Sequence, residues 1–221
     1  PETMNERASA SSVLIVGSGP AGLEAARACV ERGYDVALVE AKSQLGGRVA
    51  RERQLPGLAA GGRVADYREY QLSQKANVEI YRESALTPEH VLEFGFEHVC
   101  IATGSHWRRD GVSRQHIVPM QIDTGMPLFT PDDIMDGRFP TGHVVVFDDD
   151  HYYMGGVLAE ALIQKGCSVT LVTPSAYVSD WTVNTLEQET IHRRLAEMGV
   201  DIQLNRGVEA IGAKAVTSNC T

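Results

Sequence analysis

Val13-Leu14-Ile15-Val16-Gly17-Ser18-Gly19-Pro20-Ala21-Gly22 sets the architecture of this chain. Four apolar residues run into glycines at 17, 19 and 22, and the alanine-rich sequence that follows reads as a helix through Glu31. Strand, glycine turn and helix make the opening unit of a dinucleotide-binding fold, in which each glycine has its own task. Gly17 permits a tight turn, Gly19 lets backbone approach a pyrophosphate, and Gly22 lets the helix pack close to the strand. Ser18, Pro20 and Ala21 complete the turn and the first helical positions, where unpaired N–H groups and a partial positive charge face the anion. Downstream, Asp35-Val36-Ala37-Leu38-Val39-Glu40 reads as a second strand ending in an acid. That acid stands about 20 residues on, where the ribose hydroxyls of a nucleotide are expected. Glu40 in place of a basic residue favours a free ribose, hence ADP, FAD or NAD and not NADP.

Working outward, Ala41 follows the acid, and Leu45-Gly46-Gly47-Arg48 suggests a second close approach of backbone to the cofactor. Arg48 is read either as a bidentate phosphate donor or as a solvated side chain on a surface turn. Leu55–Gly62 is a loop containing Pro and Gly, Val64–Lys75 an amphipathic helix, and Val78–Tyr81 a short strand. Thr87 before Pro88 and Glu89 has the pattern of a helix N-cap, and the chain near Leu86 is expected to pass the adenine. Glu97–Gly104 reads as a buried strand ending in Ala102-Thr103-Gly104, where a glycine lets backbone cross near a bound nucleotide.

Ser105–Gly142 is irregular and rich in Pro, Gly and Asp, with Trp107-Arg108-Arg109 read as a solvated basic loop in preference to a contact with a partner or cofactor. Val144–Phe147 then opens a second strand–turn–helix, with a helix expected over Val157–Lys165 and a strand over Ser168–Thr173. A helix over Thr185–Met198, ended by Gly199, and a strand over Val200–Leu204 follow. The turn here reads Asp148-Asp149-Asp150-His151-Tyr152-Tyr153, with acids where glycines would lie, and Thr173 stands where a ribose-binding acid would be expected. This unit is therefore expected not to bind NAD(H) or NADP(H); the rival reading has the acids facing solvent or binding a cation while Gly155-Gly156 alone serves the nucleotide. The fold class is α/β: a Rossmann-like FAD/NAD(P)-binding lobe with a second, partial Rossmann-like lobe. The expected division is 1–10 disordered or linker, 11–104 the nucleotide-binding lobe, 105–140 a connecting segment, and 141–221 the degenerate second lobe.

Composition narrows the classes. A formal net charge of −9 argues against a nucleic-acid or anionic-membrane surface. No apolar run reaches the length of a membrane span, and the N-terminal sequence lacks the basic and apolar regions of a signal peptide. The four cysteines, at 29, 100, 167 and 220, form no CxxC pair; the first three are expected to be buried thiols, which fits a reducing cytoplasm. The seven histidines have no metal-ligand spacing, with His151 and His192 read as ordinary polar positions. No nucleophile–base grouping is identifiable. Neither catalytic residues nor metal ligands are therefore assigned.

The glycine fingerprint with its acid, Leu-Gly-Gly, Ala-Thr-Gly and the second lobe together resemble flavoproteins with two dinucleotide-binding domains, of the glutathione reductase type. More finely, the chain resembles the trimethylamine dehydrogenase family, which includes dimethylamine and histamine dehydrogenases. The residues that carry this are Val13–Gly22, Leu45–Gly47, Gln54–Gly57, Ala102–Gly111, Asp148–Gly156 and Val178–Thr182. The resemblance runs over nearly the whole chain after the first ten residues. It implies a parent enzyme that oxidises a small amine and passes electrons to a protein acceptor such as an electron-transfer flavoprotein. It also implies ADP where related reductases hold FAD, so ADP or FAD is the expected ligand of Gly17, Ser18, Gly19, Pro20, Ala21, Gly22, Glu40, Ala41, Gly47, Arg48, Leu86, Ala102, Thr103 and Gly104.

Family members also carry FMN in an N-terminal barrel and a 4Fe-4S cluster. A barrel of ~250 residues does not fit within this sequence, and no clustered cysteines could hold iron and sulfur. The family's return segment, from second lobe to first, is not reached either, which predicts a fragment, an engineered domain or a truncation. Two other functions remain beside the amine-dehydrogenase reading: an NAD(P)H-dependent FAD reductase, and a structural nucleotide-binding module without catalysis. An oligomer is compatible with all three.

Overall fold

A computed structural model of the chain describes residues 4–221; the first three positions of the expected N-terminal linker lie outside the described residues. The chain divides into two compact units, one ending at Ser105 and the other starting at His106. The segment expected as a connector thus counts with the second unit.

The first unit runs β1 (Ser12–Val16), α1 (Pro20–Glu31), β2 (Asp35–Val39), α2 (Gly47–Glu52), α3 (Arg63–Ser73), β3 (Val78–Tyr81), α4 (Pro88–Glu93) and β4 (His98–Ile101). Its four strands form one parallel sheet in the order β3-β2-β1-β4. Alternation along β1 feeds two apolar clusters, because successive side chains of a strand face opposite ways. Val13 and Ile15 meet Leu23, Ala26 and Val30 of α1 and Leu72 of α3. Leu14 meets Ala37 and Val39 on the other face, with Leu86, Val91, Phe94 and Phe96 packed against them. The spacing of Leu23, Ala26 and Val30 puts all three on one stripe of α1. Each fully buried Leu or Ile contributes about 1.5–3 kcal/mol.

Register positions the site. Val16 lies beside Val39 and Ile101, so the three strands end level, and Gly17, Glu40 and Ala102 emerge together at the carboxyl edge. Ligands of open parallel sheets bind at such edges. Gly47 and Arg48 open α2, a helix start that the sequence reading did not mark.

The second unit runs β5 (Gln121–Ile122), α5 (Pro131–Met135), β6 (His143–Phe147), α6 (Met154–Gln164), β7 (Ser168–Val172), α7 (Gln188–Glu197), β8 (Asp201–Gln203), β9 (Arg206–Ile211) and β10 (Val216–Cys220). β6, β7 and β8 form a parallel sheet in that order. A second sheet, not anticipated, has the order β10-β9-β5, with β9 and β10 antiparallel.

The basic loop is exposed, as expected, but its arginines are paired. Arg109 and Arg138 both close on Asp133, whose carboxylate also accepts the N–H and hydroxyl of Thr130 at 2.8 and 3.0 Å. Arg108 pairs with Asp110, and the Trp107 N–H bonds to Asp132 at 2.8 Å. Asp133 is 3% exposed, and a carboxylate so buried is tolerable only when paired and hydrogen-bonded. All four cysteines are free thiols; Cys167 is buried, Cys29 and Cys100 are half-buried instead, and Cys220 is exposed. Among the described residues, no helix is long and apolar enough to cross a membrane, and no three acidic, His or Cys side chains gather as a metal site.

Candidate nucleotide site

Gly17 and Gly19 stand in the turn between β1 and α1 and Gly22 in the first turn of α1, and the space around each differs. Gly17 has φ +100, and a Cβ there would strike the carbonyl of Ala102 on the neighbouring strand. A Cβ on Gly22 would strike the carbonyl of Gly17, which is how α1 comes close against β1. A Cβ on Gly19 would meet nothing within 4 Å. Gly19 is the N-cap of α1, Pro20 fills the first turn, and no side chain caps this helix end. The outward approach to α1 is therefore open to a ligand, at a terminus whose free N–H groups favour an anion.

Glu40 is held by the same turn. Its Oε2 accepts both the N–H and the hydroxyl of Ser18, at 2.9 and 2.6 Å, and its Oε1 accepts the N–H of Lys42 at 2.9 Å. Burial pushes this carboxyl up, but the bonds from Ser18 and Lys42 outweigh it and hold it below the usual carboxylate range. The group is ionised at neutral pH. An ionised carboxylate accepts about four hydrogen bonds, so after these three it keeps room for roughly one more, as a ribose hydroxyl would require.

Leu45, Gly46 and Gly47 close the turn from the other side. Leu45 is anchored in the core, the Gly46 N–H bonds to the Ser18 carbonyl at 2.9 Å, and Gly47 has φ +53. A Cβ on Gly47 would lie 2.9 Å from Gly19 Cα, so the two backbones approach as only glycines can. Arg48 donates to the carbonyl of Ser105 at 2.7 Å. At the end of β4, the Ala102 N–H bonds to the Val16 carbonyl at 2.8 Å, and Thr103 Cα borders Gly17. Gly104 has φ +76 with open space around it.

Gly17, Ser18, Gly19, Pro20, Ala21, Gly22, Glu40, Gly47, Ala102 and Thr103 are thereby brought round one turn, with Arg48 tied to Ser105 beside Gly104. Ala41 is exposed next to Glu40. Leu86 packs against Leu14, Ala37 and Val39. Sequence reasoning placed Ser18 among the expected cofactor ligands; its role of orienting Glu40 was missed, and a hydroxyl residue between two glycines was the available signal.

The second unit repeats the backbone plan without the glycines. The Asp148 N–H bonds to the Val172 carbonyl at 2.9 Å as that of Gly17 does to Val39 at 2.8 Å. Thr173 stands where Glu40 does, its N–H bonding to Gln203 at 3.0 Å as that of Glu40 bonds to Tyr81 at 2.8 Å. Six residues separate β6 from α6, against three between β1 and α1.

Residues 15–78 match the NAD(P)-binding Rossmann-like domain family, and residues 129–214 match the family described as the OYE-like second alpha/beta domain. Dimethylamine dehydrogenase of Hyphomicrobium sp. (strain x) is 34% identical over 210 residues, covering 91% of this chain and 28% of that protein. The solved structure of histamine dehydrogenase from Rhizobium sp. 4-9 is 64% identical with a TM-score of 0.97, over 100% of this chain and 34% of the other. That of 6-hydroxypseudooxynicotine amine oxidase from Pseudomonas geniculata N1 is 41% identical with a TM-score of 0.94, covering 100% and 33%. The chain thus spans about a third of the length of these relatives. Over that span it belongs to the trimethylamine dehydrogenase family, as a homologue of dimethylamine and histamine dehydrogenases carrying a Rossmann-like dinucleotide-binding fold.

Proposed function

We propose that the first unit binds an adenine nucleotide, ADP in preference to FAD, as the nucleotide-holding part of an amine-oxidising flavoprotein dehydrogenase. The observation that carries the reading is the contrast among the glycines: Gly17 and Gly22 are filled in by their own fold, whereas Gly19 faces open space at an uncapped helix end. The residues fit a diphosphate and ribose: Gly19, Pro20 and Ala21 would hold the phosphates, and Glu40 the ribose hydroxyls. Ala41, Gly47, Arg48, Leu86, Ala102, Thr103 and Gly104 complete the proposed set around them. The choice of ADP over FAD rests on the family resemblance. In the whole protein, electrons from amine oxidation would leave through a protein acceptor such as an electron-transfer flavoprotein.

Calorimetric titration of the chain with ADP tests the reading, alongside Gly19→Val. The valine is expected to leave the circular-dichroism spectrum unchanged and to abolish ADP binding. Undiminished ADP affinity in a folded Gly19→Val protein would overturn the assignment. A stoichiometric visible flavin spectrum surviving gel filtration would replace ADP by FAD.

A further inference from the structure

The turn after β6 is built around a carboxylate. Asp148 is 2% exposed. Its Oδ1 accepts the N–H groups of Asp150 and His151, each at 3.2 Å, while its Oδ2 is buried without a partner. A Cβ on Gly155 would lie 2.5 Å from Asp148 Cγ and 2.7 Å from Oδ2, so the carboxylate lies against the first turn of α6. No side chain caps that helix. Ser179, fully buried with φ +50, brings a second unpartnered oxygen to the first turn of α6, 3.4 Å from where a Cβ on Gly156 would be. Leaving a buried polar atom without a partner destabilises the fold. Here two are kept, at a helix end whose N–H groups and dipole attract negative charge.

We propose that Asp148 is a resident anion at the start of α6, which closes the second unit to dinucleotides by occupying the seat a pyrophosphate would need. Three observations converge on it. Asp148 stands at the backbone position of Gly17, as the paired bonds to Val172 and Val39 demonstrate. In the first unit the helix packs directly on the glycine turn; in the second the Asp148 side chain is inserted between turn and helix. The longer turn and Thr173 remove the two other elements of a nucleotide site, the short glycine loop and the ribose-binding acid. A ligand phosphate would meet both the volume and the charge of Asp148. At a separation of ~5 Å and an effective dielectric near 20, that charge alone lowers affinity roughly a hundredfold. This inference is independent of what the first unit binds.

The test titrates inorganic pyrophosphate into the whole chain and follows the backbone amide resonances of Gly155 and Gly156, which report the second unit alone. The wild-type amides are expected to stay still, and those of Asp148→Gly to shift saturably, with an affinity about a hundredfold above any wild-type response. Asp148→Ala serves the same purpose should the glycine variant not fold. Saturable wild-type shifts at these two amides would overturn the proposal, and so would a folded Asp148→Gly or Asp148→Ala protein whose amides do not respond.

Discussion

Ser18 gives both its backbone N–H and its hydroxyl to a single oxygen of Glu40, at 2.9 and 2.6 Å. The residue between the turn glycines thereby aims the acid at the end of the next strand. Hydrogen bonds to buried charged groups are worth about 1.5–3 kcal/mol. Ser18→Ala is expected to lose stability in that range by urea denaturation, and Glu40 to titrate at higher pH in carboxyl NMR. The sign follows from its lowered value: Glu40's contribution is present above the ordinary carboxylate range and lost as pH falls through the folded value.

The three turn glycines should separate by experiment. Gly22→Ala forces a Cβ onto the Gly17 carbonyl and is expected to cost about 1–3 kcal/mol or more in chemical denaturation. Gly19→Ala has space and should change stability by less than ~1 kcal/mol. Equal losses at both positions would contradict the contrast between a packed and an open glycine.

Asp148 makes the stability of its unit depend on pH. Burial raises its carboxyl from 3.8 to about 6, against the opposing bonds and charge of His151. The folded value exceeds the unfolded one, so the penalty is absent below the unfolded value, grows as pH rises between the two, and is complete above the folded value. Its size is on the order of 3 kcal/mol. Asp148→Asn is therefore expected to be stabilising near pH 8 and nearly neutral near pH 4, by urea denaturation at each.

Asp133 carries the opposite expectation. Burial pushes its carboxyl up, but the bonds from Thr130 and Arg109 hold it low. Asp133→Ala removes the buried acceptor of the Thr130 N–H and hydroxyl and is expected to cost about 1–3 kcal/mol, because the two guanidinium groups it leaves are more than half exposed. Arg109→Ala, at a half-exposed position with Arg138 still in place, should cost nearer ~1 kcal/mol. Calorimetric melting of the two variants gives the comparison.

The parts of the chain that could be read in advance are those whose determinants are local. β1, the glycine turn, α1 and β2 follow one another within a few turns of chain, and each is specified by its own residues. Leu45-Gly46-Gly47 was legible as a close approach but not as a helix start, because glycine is a poor helix former and α2 begins there only through contacts with Ser18 and Gly19. The pairing of Arg109 with Asp133 was not legible because the partner lies 24 residues away. Val216–Cys220 lacks the apolar–polar alternation of a strand and is recruited by β9 across a hairpin. At Asp148 the displacement of a glycine was plain from the residues; the direction of the side chain, against Gly155, was not.

The unequal surroundings of Gly17, Gly19 and Gly22 bear on how such fingerprints drift over evolutionary time. Two of the three glycines are demanded by the chain's own backbone, so selection for folding alone would retain them in a descendant that had abandoned nucleotides. Gly19 carries no such obligation. In a lineage of this domain, the middle glycine is the position whose loss would record the end of selection for a ligand, while its neighbours kept the appearance of a working motif.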